Sequence, residues 1–87
     1  MRTVFKYQLL TKDSQTLEIP GLIQALCVKV QHGTPCLWCL VDACRPTTKY
    51  TIITHGTGHN ADDTIDAQYV GSYMLFDGNF VGHVFIK

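Results

Sequence analysis

Charge is what this chain has least of. Asp, Glu, Lys and Arg make up 16% of its 87 residues, seven of each sign, and the formal net charge is zero. The lysines and arginines never cluster, so there is no electrostatic footprint for a duplex or an anionic membrane surface. Sequence-independent nucleic-acid binding is therefore not expected. Long apolar runs are also missing: none approaches the ~18–20 residues of a membrane span. The opening MRTVFKYQLL alternates instead of forming the apolar centre of a signal peptide, and no cleavage pattern follows. These absences make a cytoplasmic protein the expectation, with its four cysteines held as thiols rather than disulfides. Helical periodicity is absent too, and there is no internal repeat.

What is present is apolar. Hydrophobic residues reach 46%, in a chain that makes one domain, 1–87, with a core limited by its size. Such a body is expected to bury some of that surface between copies, so a homo-oligomer is anticipated, most commonly a two-fold dimer.

The pattern is β along nearly the whole length. Residues Thr3–Leu10 alternate Phe5, Tyr7 and Leu9 against Lys6 and Gln8, the period of a half-buried strand. A short run Gln15–Ile19 ends at the turn Pro20-Gly21. Next, Leu22–Gln31 sets Leu26, Val28 and Val30 on one face against Cys27, Lys29 and Gln31. His32-Gly33-Thr34 fits a hairpin connection. Pro35–Ala43 is near-continuously apolar, which anticipates cover on both faces. Lys49–Thr54 is rich in β-branched residues, and Asp62–Asp66 is the one place for a single helical turn. Tyr69–Phe76 and Phe80–Ile86 flank the turn Asp77-Gly78-Asn79. Six to seven short strands imply an all-β fold, a small antiparallel sandwich or barrel.

The stretch PCLWCLVDAC invites a zinc reading through Cys36, Cys39 and Cys44, completed by His55 or His59. Structural zinc requires four convergent ligands, and a Cys-x-x-Cys pair usually sits on a tight knuckle. Here bulky strand formers fill the spacing and no glycine follows. In an extended strand, positions i and i+3 face opposite ways. Cys36 then shares a face with Trp38 and Leu40, and Cys39 shares one with Leu37 and Val41. Both read as packing thiols. No helix follows to lower a thiol pKa, so a redox motif is not indicated. No metal and no cofactor is assigned.

HGTGHNADD, residues 55–63, is the more informative segment. Gly56 and Gly58 allow close approach of another group, and successive backbone N–H groups in such a loop can form an anion nest. Thr57, His59 and Asn60 add donors, while Asp62 and Asp63 add acceptors suited to ribose hydroxyls. Trp38 and Tyr69 are candidates for stacking a ring at the rim of such a pocket, although strand aromatics mostly serve packing. Gly-x-Gly alone is no dinucleotide fingerprint. His83, between Gly82 and Val84, reads as a hydrogen-bonded sheet histidine, and His32 as an exposed turn residue. No motif joins a nucleophile, a base and an orienting carboxylate, so no catalytic residue is assigned.

The chain resembles a family of small tailed-phage proteins with no assigned activity. The similar elements are Val4, Lys6, Tyr7 and Leu9; then Thr16, Glu18 and Pro20; then V-Q-x-G-x-P-C-L-W-x-L-V-D from Val30 to Asp42. After them come Gly56-Thr57-Gly58-His59, Tyr69-Val70-Gly71 and the closing His83-Val84-Phe85. The resemblance implies a non-cysteine at the place of Cys39, which counts against zinc, and it places the Gly-Thr-Gly-His loop in the shared set. It further implies a counter-defence role in the host cytoplasm. Two classes fit. One is a binder that sequesters a small anionic nucleotide-like host signal without turnover. The other is a protein–protein inhibitor of a host defence enzyme or nuclease complex; zinc binding or nucleotide cleavage follows behind.

Overall fold

A computed structural model describes residues 1–87 and holds seven strands. They are β1 (Arg2–Gln8), β2 (Ser14–Pro20), β3 (Leu22–Gln31), β4 (Thr34–Asp42), β5 (Thr47–Gly56), β6 (Gln68–Leu75) and β7 (Phe80–Ile86). The only helical element is a 3-10 turn, Asp62–Thr64. Two antiparallel sheets form, one ordered β1-β4-β3 and the other β2-β5-β7-β6. They face each other as a sandwich, with β3 lying over β6. At that crossing Gly71 lets the sheets approach: a Cβ there would stand 3.3 Å from Val28. The all-β sandwich read from the strand pattern is the observed fold.

β4 holds the centre of the first sheet because its alternation places one complete row inward. Leu37, Cys39 and Val41 are fully buried. Each is paired on both sides: with Tyr7, Phe5 and Thr3 of β1, and with Val28, Ala25 and Leu22 of β3. Ile19, Ile52, Val84 and Ile86 meet them from the second sheet. Burying each such aliphatic side chain stabilises the fold by about 1.5–3 kcal/mol. Cys36 and Cys39 diverge to opposite faces, as strand geometry requires. Burial, with a smaller contribution from the neighbouring Cys27, pushes the Cys39 thiol up to about 11, so it packs as a hydrophobe rather than reacting.

Three local expectations are corrected. In β3 two bulges, between Leu22 and Gln24 and between Ala25 and Cys27, stretch the inward spacing from two residues to three. Leu26 is thereby turned out and is 43% exposed, Val28 stays buried, and Val30 at the strand end is exposed. The outer face of β4 lacks the cover its composition suggested, so Trp38 and Leu40 are only half-buried. The β6–β7 connection takes in Phe76 as well as Asp77-Gly78-Asn79, because Leu75 pairs with Phe80. Phe76, Asp77 and Gly78 all take positive φ, of 55°, 55° and 86°.

Leu37→Ala should cost about 2–5 kcal/mol in chemical denaturation, the loss expected for a core leucine. Iodoacetamide should alkylate exposed Cys44 in the native protein and reach Cys39 only after unfolding; equal rates would contradict the packing.

Candidate functional site

The site begins where β5 ends. Ile53 and His55 point to the outer face of the second sheet, opposite Phe85 and His83 of β7. Both are nevertheless buried, at 2% and 8% exposure. The segment after Gly56 returns over this face and covers them. His55 Nε2 meets Asp63 Oδ1 at 2.6 Å, and Lys87 Nζ donates to the Asp63 carbonyl at 2.9 Å. A buried imidazole without a partner is costly, so this contact explains both the placement of His55 and the path of the loop.

Within the loop the chain turns twice. The His59 amide donates to the Gly56 carbonyl at 3.1 Å, with Gly58 at φ +85°, as the third position of a type II turn requires. Asn60 Oδ1 then accepts from the Asp62 amide at 2.8 Å, and Thr64 Oγ1 donates to the Ala61 carbonyl at 2.6 Å. The His59 imidazole lies against Gly56, where a Cβ would come within 2.9 Å of its Cε1. Thr57 Oγ1 and His83 Nε2 share a hydrogen bond of 2.8 Å. His83 is thus a sheet histidine, and the bond it makes holds the loop.

This geometry opens a cleft of about 220 Å³ between the β5 turn and the β6–β7 hairpin, lined by Gly56, Thr57, His59, Asn79, Phe80 and Val81. Thr57, His59 and Asn79 line it with polar side chains, Phe80 supplies an aromatic wall, and no carboxylate lines it. Gly56, Thr57 and His59 therefore come together as the loop suggested. Asn60 is spent on bonds to the Asp62 amide and carboxylate. Asp63 is spent on His55, and neither Asp62 nor Asp63 lines the cleft, so the ribose-binding role suggested for these carboxylates is not met there. Trp38 and Tyr69 lie elsewhere. Trp38 floors a hollow of about 290 Å³ on the outer face of the first sheet, with Val4, Leu26, Cys27 and Lys29. Tyr69 sits on β6 with its ring edge-on to Phe85, centroids 5.3 Å apart.

A further depression of about 250 Å³ is lined by Arg2, Gly21, Leu22, Ile23, Asp42 and Arg45, and so has a carboxylate in its wall. The terminal amine at 3.1 Å and the Cys44 amide at 3.2 Å, with a smaller contribution from Arg45 at 3.4 Å, hold the Asp42 carboxyl below the usual range. No three His, Cys, Asp or Glu side chains converge to hold a metal. Cys36, Cys39 and Cys44 do not meet His55 or His59.

A domain of unknown function, DUF7352, matches residues 1–87. The chain belongs to the DUF7352 family. No curated protein and no solved structure shows significant similarity to it. For this DUF7352 chain, then, its own geometry carries the functional argument. Sequence reasoning missed Asn79, Phe80 and Val81, which approach the loop only because Gly56 and Gly82 are register partners. The turn Asp77-Gly78-Asn79 followed by Phe80 was the signal for a hairpin tip, but not for what it would face.

Asp63→Ala should free residues 57–67, seen as faster amide exchange there, and should cost about 1–3 kcal/mol for the buried imidazole left unpaired. Gly56→Ala should displace the exposed His59 ring with little loss of stability, read as a shift of the His59 ring proton resonances.

Proposed function

We propose that this DUF7352 chain binds a small anionic, nucleotide-like ligand in the cleft at Gly56, Thr57 and His59, and holds it without turnover. The observation that carries the reading is the lining. Polar side chains and a bare glycine backbone face the cleft beside Phe80, no carboxylate lines it, and the Asp63 carboxylate is engaged by His55. An anion entering there meets donors and no like charge. At about 220 Å³ the recess is smaller than the ~300–1,000 Å³ of most ligand pockets. It suits a phosphate or a sugar-sized portion, with the rest of the ligand lying over its rim.

Retention rather than cleavage follows from how the polar groups pair. Thr57 hydroxyl sits on His83, while the Asp63 carboxylate sits on His55. No single histidine links hydroxyl to carboxylate, the relay on which activation of a hydroxyl nucleophile depends. Given the likeness to small tailed-phage proteins, sequestering a host nucleotide signal as counter-defence in the host cytoplasm is the biological role this chemistry suits.

A second reading, a protein–protein inhibitor of a host defence enzyme or nuclease complex, draws on the half-exposed apolar face around Val4, Leu26 and Trp38. Exposed patches of this kind mark interaction surfaces. Native mass spectrometry of protein isolated without added nucleotide, with calorimetric titration of AMP and inorganic phosphate, separates the two. His59→Ala should weaken binding about tenfold or more, the value of a charge-assisted hydrogen bond, at unchanged melting temperature, and Thr57→Ala should weaken it as much while also releasing the loop from His83. Full binding by both variants would remove the site. Loss of host-protein capture in Trp38→Ala alone would favour the inhibitor.

A further inference from the structure

A sandwich of two open sheets has four edge strands, and each exposes unpaired backbone N–H and C=O groups that another chain can use. Three of the four here are blunted. β3 carries its two bulges, and β6 carries one between Tyr69 and Gly71. β2 ends on Pro20 and shows Ser14, Thr16 and Glu18 to solvent. β1 has none of these devices. Its seven residues pair with β4 in unbroken register, without proline or glycine. No hydrogen bond outside that pairing reaches the backbone of Arg2–Gln8, so its far side has no partner within the chain.

The side chains of β1 also suit an interface. Val4 on the outer face and Phe5 on the inner face are 50% and 37% exposed. Lysine on an edge usually repels a second strand, but Lys6 Nζ donates to Gln31 Oε1 at 2.8 Å and is drawn across the sheet, away from the edge. Nothing on this strand opposes pairing.

We propose that β1 pairs antiparallel with β1 of a second copy about a two-fold axis at Phe5, giving one continuous six-stranded sheet. Symmetry selects the register. A two-fold axis normal to the sheet sets residues of the same face opposite each other. Centring on Val4 would oppose Arg2 to Lys6 of the partner subunit, and centring on Lys6 would oppose the two lysines. Centring on Phe5 engages all of β1, sets Phe5 against its copy, and sets Val4 against Lys6 of the partner subunit. Aromatic cross-strand pairs are favourable, and like charges directly opposite are not. The dimer joins the two half-exposed faces around Trp38 into one surface.

Sedimentation equilibrium and native mass spectrometry on the full chain test this. The wild type should dimerise with rising concentration, and β1 amides should gain exchange protection in step. Phe5→Arg should be monomeric at concentrations where the wild type is dimeric, with an unchanged circular dichroism spectrum. Val4→Glu should tighten the dimer several-fold, because it places at both ends a carboxylate opposite Lys6 of the partner subunit, for which that exposed lysine exchanges its neutral Gln31 partner. A monomeric wild type would overturn the proposal, as would a folded Phe5→Arg that still dimerises. Should Phe5→Arg fail to fold, β1 amides in the wild type that show no concentration-dependent protection would overturn it equally. Weaker association in Val4→Glu would contradict the Phe5-centred register.

Discussion

The site hangs on one contact, the 2.6 Å approach of Asp63 to the buried imidazole of His55. Strand alternation obliges His55 to face outward from β5, onto the side of the sheet that has no second layer. A carboxylate eight residues later draws the chain back over that face, and the intervening residues must turn tightly to return. Gly58 accepts the positive φ of that turn, and Gly56 leaves room for the His59 ring. The cleft is the space the turn leaves against the β6–β7 hairpin. Were the contact absent, Ile53 and His55 would lie open to water and the donors of the loop would have no fixed direction.

The two outer faces of the sandwich consequently differ in kind. One is closed by its own loop, which converts a strand end into a small polar recess. The other keeps an apolar centre around Trp38 with Lys6 and Lys29 near it. With principal extents of 39 × 30 × 16 Å the molecule is a thin slab, and a thin slab leaves much of its apolar content at the surface. Its low charge matches that shape: a face with few charges is suited to burial against another surface, whether a ligand, a copy or a foreign protein.

The alternation of Phe5 and Tyr7, the run around Leu37 and the β-branched content of β5 made the strands legible, because burying one sheet face imposes a period of two. The divergence of Cys36 and Cys39 was legible for the same reason. Bulges were not: an extra residue such as Leu26 follows from how β3 meets β4, and single-strand spacing carries no trace of it. In the candidate site, Gly56, Thr57 and His59 announced themselves through glycine spacing and donor chemistry. Asn79, Phe80 and Val81 arrive from a distant hairpin through register, and Trp38 and Tyr69 leave for other faces through topology. Asp63 was read as a ligand contact because its partner His55 lies eight residues away along a path that only the folded loop defines.

One ligand site shared by the β5 turn and the β6–β7 hairpin would respond to ligand as a unit. A ¹H–¹⁵N correlation spectrum of the labelled protein, followed during titration with AMP and, separately, with inorganic phosphate, reads that response. Saturable shifts should be confined to the amides of Gly56, Thr57, Gly58, His59, Asn79 and Phe80, with the Trp38 indole resonance unmoved. Shifts centred on Trp38 and its neighbours, or no saturable shift with either probe, would contradict a shared site.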